Sequence, residues 1–178
     1  MYMDIEKKKK EILFTREDIL TRVREVGLKI TEDYKGKQLM VVSLLKGSFI
    51  FTADLVREID APVKIEFMAT ASYGHGEESS GSVNILYDIN EKIEGYDVLV
   101  VDDIADTGLT MKFVLKHLKT KNPKSIKSCV LLDKPSRRKT ELEADYVGFS
   151  IPDKFIVGYG LNYGDYYRNI PYVFAFVD

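Results

Sequence analysis

Asp102, Asp103, Asp106, Thr107, Gly108 and Thr110 put three carboxylates, two hydroxyls and one glycine within nine residues. A glycine lets backbone approach a ligand closely, and threonine hydroxyls add hydrogen-bond donors. With a helix starting just beyond, unpaired N–H groups and the positive dipole end would favour an anion such as a phosphate. Asp102 and Asp103 would repel that phosphate, so they suit sugar hydroxyls, a magnesium ion, or both. The plainer reading is an acidic turn in which Asp106 caps the next helix. Capping alone does not ask for three acids and two threonines around a glycine, and the ligand reading is favoured.

The flanking segments say what must position these groups. Val98-Leu99-Val100-Val101 is a short run, apolar on both faces, as in the middle of a parallel sheet. From Leu109 onward Met111, Val114, Leu115 and Leu118 fall at i, i+3, i+4, i+7, the stripe of an amphipathic helix. The acids then fill a turn beyond the carboxyl end of a buried strand, where open parallel sheets bind ligands. Upstream, Thr15 to Asp18 has the shape of a capping box, followed by a helical stripe of Ile19, Val23, Val26 and Ile30. Leu39 to Leu45 reads as a buried strand, with a second helix ending near Ile59. Val63, Ile65 and Phe67 alternate with Lys64 and Glu66 as in a strand with one wet face. The stretch 72–82 holds three glycines and cannot bury itself. Val83 to Tyr87, Ile126 to Leu132 and Tyr172 to Val177 complete the strand-like segments. Strands alternating with helices predict an α/β fold with a mainly parallel open sheet flanked by helices.

At 178 residues the chain suits one domain, residues 1–178. A formal charge of −2 gives no reason to expect nucleic acid or an anionic membrane as partner. No apolar stretch reaches transmembrane length and the first residues lack a signal peptide's apolar core, so a cytoplasmic setting is expected. Cys129, the sole cysteine, lies in an apolar run and reads as a small buried hydrophobe. His75 and His117 have no cysteine or histidine neighbours, which argues against zinc. Neither a dinucleotide-binding nor a P-loop glycine pattern occurs.

The apolar strand, the two acids, Asp-Thr-Gly and the following Thr resemble the phosphoribosyl-diphosphate (PRPP) signature of type I phosphoribosyltransferases. Further segments are similar to those of the hypoxanthine-guanine phosphoribosyltransferases, from about Leu39 to Arg168. Leu45-Lys46-Gly47 resembles the family's pyrophosphate loop, where a cis peptide precedes the lysine. Ser72-Tyr73 resembles the start of its mobile catalytic loop. Lys134, in Leu-Leu-Asp-Lys-Pro, matches the lysine aimed at the purine's exocyclic oxygen, while Arg137 and Arg138 read as solvated. Ile151 to Tyr159 matches the base-binding segment, with Phe155 stacking on the purine and Lys154 and the Ile156 backbone shaping the pocket. By composition alone, Phe155 could equally be a core residue. Arg168 matches an arginine used on pyrophosphate.

The resemblance implies the type I fold with a small hood built from the terminal segments, and a homodimer or homotetramer. It implies transfer of the phosphoribosyl group of PRPP to hypoxanthine or guanine, releasing pyrophosphate, with Mg2+ as cofactor. Lys46, Gly47, Asp102, Asp103, Asp106, Thr107, Gly108, Leu109, Thr110 and Arg168 would hold PRPP. Ile104, Lys134, Lys154, Phe155, Ile156 and Asn162 would hold the purine. Asp106 and Lys134 would be catalytic, and Asp102, Asp103 and Asn162 would serve the metal. Two positions depart from the family pattern: Asp102 stands where Glu is usual, and Asn162 where Asp is usual. A regulatory relative that binds PRPP with little turnover is the alternative, against which the base-site residues argue.

Overall fold

The computed structural model describes residues 9–72 and 83–177. Nine strands and three α-helices follow in the order β1 (Lys9–Phe14), α1 (Arg16–Asp33), β2 (Leu39–Leu45), α2 (Phe49–Arg57), β3 (Val63–Ser72), β4 (Val83–Tyr87), β5 (Asp97–Ala105), α3 (Leu109–Lys119), β6 (Ser125–Asp133), β7 (Tyr146–Ser150), β8 (Ile156–Val157) and β9 (Val173–Val177). A single 3-10 turn, Pro135–Arg137, follows β6.

The main sheet has the order β4-β3-β2-β5-β6-β7, and β4 alone is antiparallel to its neighbour. Alternation along the central strands divides the core. Leu39, Val41, Leu99, Val101, Cys129 and Leu131 face α1 and α2, while Met40, Val42, Val98, Val100 and Val130 face Met111, Val114 and Leu118 of α3. Strands covered on both faces need apolar residues on both, which is why Leu39 to Val42 of β2 and Val98 to Val101 of β5 are apolar without a break. Cys129 is buried there as a free thiol.

Helix α1 begins at Thr15, whose side chain accepts from Asp18 N while the Asp18 carboxylate accepts from Thr15 N, closing the expected capping box. Ile19, Val23, Val26 and Ile30 are all buried, as the stripe requires. Gly27 belongs to that face because a Cβ there would lie 2.6 Å from Glu58 Cβ, beyond the end of α2.

Chain direction singles out one place on the sheet. From β2 the chain crosses outward to β3; from β5 it crosses the other way to β6. Adjacent β2 and β5 thus feed loops that diverge, and the crevice between them is the topological switch point at which such sheets take ligands. The hood is a second, antiparallel sheet of order β1-β9-β8, uniting both ends of the described chain. Among the described residues no helix is long and apolar enough to cross a membrane.

Candidate active site

The acidic segment is placed differently from the expectation of a turn. Strand β5 runs on through Asp102, Asp103, Ile104 and Ala105, because its ladder with β6 continues to Ala105–Asp133. The two carboxylates therefore lie on the strand's carboxyl end, held by the sheet. Asp102 Oδ1 accepts from Asp103 N at 2.9 Å and Asp103 Oδ1 from Ile104 N at 2.8 Å. Burial pushes Asp102 well above the usual carboxylate range, and the neighbouring Asp103 charge adds to this. Burial raises Asp103 as well, opposed in part by the Arg168 guanidinium.

The turn proper is Asp106-Thr107-Gly108. Gly108 is the N-cap residue of α3, with φ +80° and no side chain of its own to cap the helix, while Thr107 Oγ1 accepts from Leu109 N at 3.4 Å. Asp106 is thus not the cap that the plainer reading required. A cavity of about 230 Å³ opens over the turn, lined by Asp102 to Gly108 together with Thr110 and Met111. The first turn of α3 carries no acid, so its N–H groups keep their attraction for an anion.

Across the switch point, the Leu45–Lys46 peptide is cis, as the resemblance implied. Gly47 beyond it is hemmed in. A Cβ there would lie 1.7 Å from Asp103 Oδ2, and a Cβ on Gly160 would lie 2.0 Å from Gly47 O. Gly160 O in turn accepts from Arg168 Nη1 at 2.6 Å. The β2 loop, the end of β5 and the segment before β9 therefore close on one another through two glycines, which brings Gly47, Asp103 and Arg168 together. Beneath the loop, Ser43 Oγ, Ser48 Oγ and Thr52 Oγ1 form a buried hydroxyl cluster with 2.8 Å separations. That fixes the loop's far side to α2. Lys46 is exposed.

The remaining residues line the approach from β6 and the hood. Lys134 is only 6% exposed, and its Nζ lies 3.8 Å from Asp153 Oδ1. Arg137 spans Asp106 at 3.1 Å and Asp153 at 3.6 Å. Phe155, by contrast, is 60% exposed and meets Tyr163 edge-on at 5.8 Å. A core role is therefore excluded and its face is available. Lys154 is paired with Glu11 of β1 at 2.5 Å, so its ammonium is turned to the hood strand. Ile156 is buried in β8, with its neighbour Val157 paired to β9. The Asn162 amide donates to Gly164 O, leaving its carbonyl oxygen to accept. Of the loop 72–82, the Ser72 backbone ends β3 opposite Val83, and Tyr73 with the rest lies outside the described residues.

A second expectation fails. Arg138 is not solvated: it is ion-paired with Asp133 and donates from Nη1 to Asp106 O at 2.8 Å. Asp133, Arg138, Asp153 and Gly160 are members of the site neighbourhood that the sequence did not single out. Gly160 had a readable signal in lying between Tyr159 and Leu161 near the base segment. Asp133 and Asp153 lie inside the segments around Lys134 and Phe155 that the sequence did mark, whereas Arg138 had no such signal.

For a metal, the donor set fits magnesium used with a phosphorylated substrate. Asp102 and Asp103 each keep a carboxylate oxygen beyond the one accepting from backbone. Among the described residues no cluster of three or more His, Cys, Asp or Glu forms a protein cage. Magnesium is commonly held by one or two carboxylates with waters and substrate phosphates rather than by such a cage.

The sequence matches the Phosphoribosyl transferase domain family over residues 11–164, and the chain belongs to that family. It is 51% identical to the hypoxanthine-guanine phosphoribosyltransferase of Aquifex aeolicus, over 98% of this chain and 99% of that one. The Staphylococcus aureus hypoxanthine-guanine phosphoribosyltransferase is 48% identical, over 92% of each chain. A crystal structure of a hypoxanthine phosphoribosyltransferase from S. aureus superposes with a TM-score of 0.92 at 44% identity, covering 98% of this chain and 95% of that one.

Proposed function

We propose that the protein is a purine salvage enzyme that transfers the phosphoribosyl group of PRPP to hypoxanthine or guanine, yielding IMP or GMP and pyrophosphate. The observation that carries this reading is the junction at the switch point, where Gly47 meets both Asp103 and Gly160. This reading takes the segments beside that junction as a phosphate turn, a pair of sugar-binding acids and a pyrophosphate loop around one crevice. The named relatives support the same reaction.

In this mechanism the Asp106–Thr110 turn holds the 5′-phosphate and so fixes the ribose over the end of β5. Asp102 and Asp103 bind the ribose hydroxyls and would hold Mg2+, aided by the Asn162 carbonyl oxygen; the ion, when bound, neutralises diphosphate charge. Lys46, the Gly47 backbone and Arg168 stabilise the charge growing on the departing pyrophosphate. The purine lies on the exposed face of Phe155, with Ile104 beneath it. Lys134 binds its exocyclic oxygen, and Lys154 and the Ile156 backbone bound the pocket. Bond cleavage to the anomeric carbon passes through an oxocarbenium-like state, as in other glycosyl transfers. Asp106 takes the proton from the purine's imidazole ring as the new bond forms. For this it leaves Arg137, its partner in the unliganded site.

A cytoplasmic setting agrees with the free, buried Cys129. Assembly with a second copy has a candidate surface in the half-exposed Ile65 and Phe67 of β3 with Leu86 and Tyr87 of β4; sedimentation of wild type against Phe67→Glu tests it. For the reaction, the test is a steady-state assay of hypoxanthine, guanine and xanthine with PRPP and magnesium. Equimolar nucleotide and pyrophosphate are expected from at least one of the first two. PRPP binding without nucleotide from any base would overturn the reading.

A further inference from the structure

The segment after β6 does more than lead to the base site. It takes up three consecutive carbonyls of the phosphate turn. Ala105 O accepts from Lys134 N at 2.9 Å, Asp106 O from Arg138 Nη1 at 2.8 Å, and Thr107 O from Lys139 N at 2.9 Å. In a planar trans peptide the carbonyl and the following N–H point in opposite directions. Pulling these three carbonyls to one side therefore aims the N–H groups of Asp106, Thr107 and Gly108 to the other. Two of the three anchors are backbone groups and one is a side chain, Arg138.

That side chain is itself fixed. Its other arm is paired with Asp133 Oδ1, and the two side chains are only 14% and 16% exposed. Its stem runs under the turn: a Cβ on Gly108 would lie 2.9 Å from Arg138 Cδ and 2.8 Å from Thr140 Oγ1. With its charge largely neutralised by Asp133, Arg138 supplies direction more than attraction. We propose that Arg138, pinned by Asp133, is a positioning residue that orients the phosphate turn's N–H donors and so sets selectivity for ligands carrying a 5′-phosphate.

The proposal rests on reading the turn as the 5′-phosphate cradle, and the test separates the two. Dissociation constants for IMP and for inosine are measured on wild type, Thr110→Val, Arg138→Met, Arg138→Lys and Asp133→Asn. If wild type binds both alike and Thr110→Val changes neither, the cradle reading fails, and this proposal with it. If wild type prefers IMP and Thr110→Val reduces that preference, the cradle stands and the arginine is on trial. Arg138→Met should then narrow the IMP-to-inosine preference about tenfold and raise KM for PRPP similarly. KM for the base and kcat at saturation should stay within about threefold. Arg138→Lys should recover only part, because an ammonium cannot span Asp106 O and Asp133 as the planar fork does. Asp133→Asn should shift the preference in the same direction by less, and decides the matter if Arg138→Met does not fold. An unchanged IMP preference in Arg138→Lys and Asp133→Asn, or equal losses for IMP, inosine and base, would overturn the positioning role.

Discussion

Gly47 and Asp103 are in contact so close that residue 47 has no room for a side chain: a Cβ would lie 1.7 Å from Asp103 Oδ2. The turn after β2 and the carboxylate at the end of β5 are thus set by each other. Gly47→Ala must move either the loop or the carboxylate by an ångström or more. Such misplacement costs on the order of 10²-fold in rate. We expect kcat/KM to fall by about that factor while the melting temperature changes little; near-wild-type kcat/KM would show that the loop yields freely.

Asp106 lies between the phosphate turn and the Arg137–Asp153–Lys134 group that borders the base site. Replacing Asp106 by Asn keeps size and hydrogen bonding but removes the proton acceptor. We expect kcat to fall by about 10²–10⁴-fold, the usual contribution of a general base, with a smaller change in PRPP affinity. Unchanged kcat, with chemistry shown to be rate-limiting, would remove Asp106 from that role.

At Asn162 the amide is tied to Gly164 O and offers an oxygen without negative charge. Asn162→Asp should move the magnesium activation curve to lower concentration and leave metal-free nucleotide affinity nearly unchanged. Superimposable magnesium titrations for the two proteins would place Asn162 outside the metal's surroundings.

Away from the site, Asp88 joins α3 to the loop after β4. Burial alone would raise its pKa, but Lys121, His117 and Ile89 N outweigh burial and hold it below the ordinary carboxylate value. A carboxyl depressed on folding stabilises the protein above its unfolded pKa of about 3.9, and that stability is lost as pH falls through the folded value. Asp88→Asn should therefore lower stability at pH 7, by roughly 0.5–1 kcal/mol for so accessible a cluster. The gap should close in acid, once pH has fallen through that folded value. Denaturant midpoints at the two pH values read this directly; a gap that persists in acid would assign the loss to packing.

What the sequence made legible was contiguous. The phosphate turn, the Lys46-Gly47 pair and the segment around Phe155 each carry their chemistry in neighbouring residues, and the apolar periods of α1, β2 and β5 follow from burial alone. The end of β5 was misjudged because Asp102 and Asp103 interrupt the apolar run after Val101 while backbone pairing with β6 continues to Ala105. Hydrogen-bond ladders do not depend on which side chains they carry. Arg138 was misread for a related reason: one partner is a carbonyl 32 positions away, and the other, Asp133, is reached only because the turn after β6 folds the chain back on the strand's end. Nothing in Arg-Arg-Lys distinguishes a brace from a solvated run. The Gly47–Asp103 contact is likewise a product of strand order, which local pattern does not encode. The exposure of Phe155 had the same character, since an aromatic beside a two-residue strand reads equally as core or as platform.

We propose one continuous site that runs from the phosphate turn, across Asp102 and Asp103, to the face of Phe155. A crystal structure with GMP and magnesium pyrophosphate tests it most directly. The 5′-phosphate should lie on the N–H groups of Asp106 to Thr110, the ribose hydroxyls at Asp102 and Asp103, and pyrophosphate against Lys46, Gly47 and Arg168. The purine should stack on Phe155, with its exocyclic oxygen at Lys134. A nucleotide whose phosphate lies outside the turn, or whose base leaves Phe155 exposed, would contradict it.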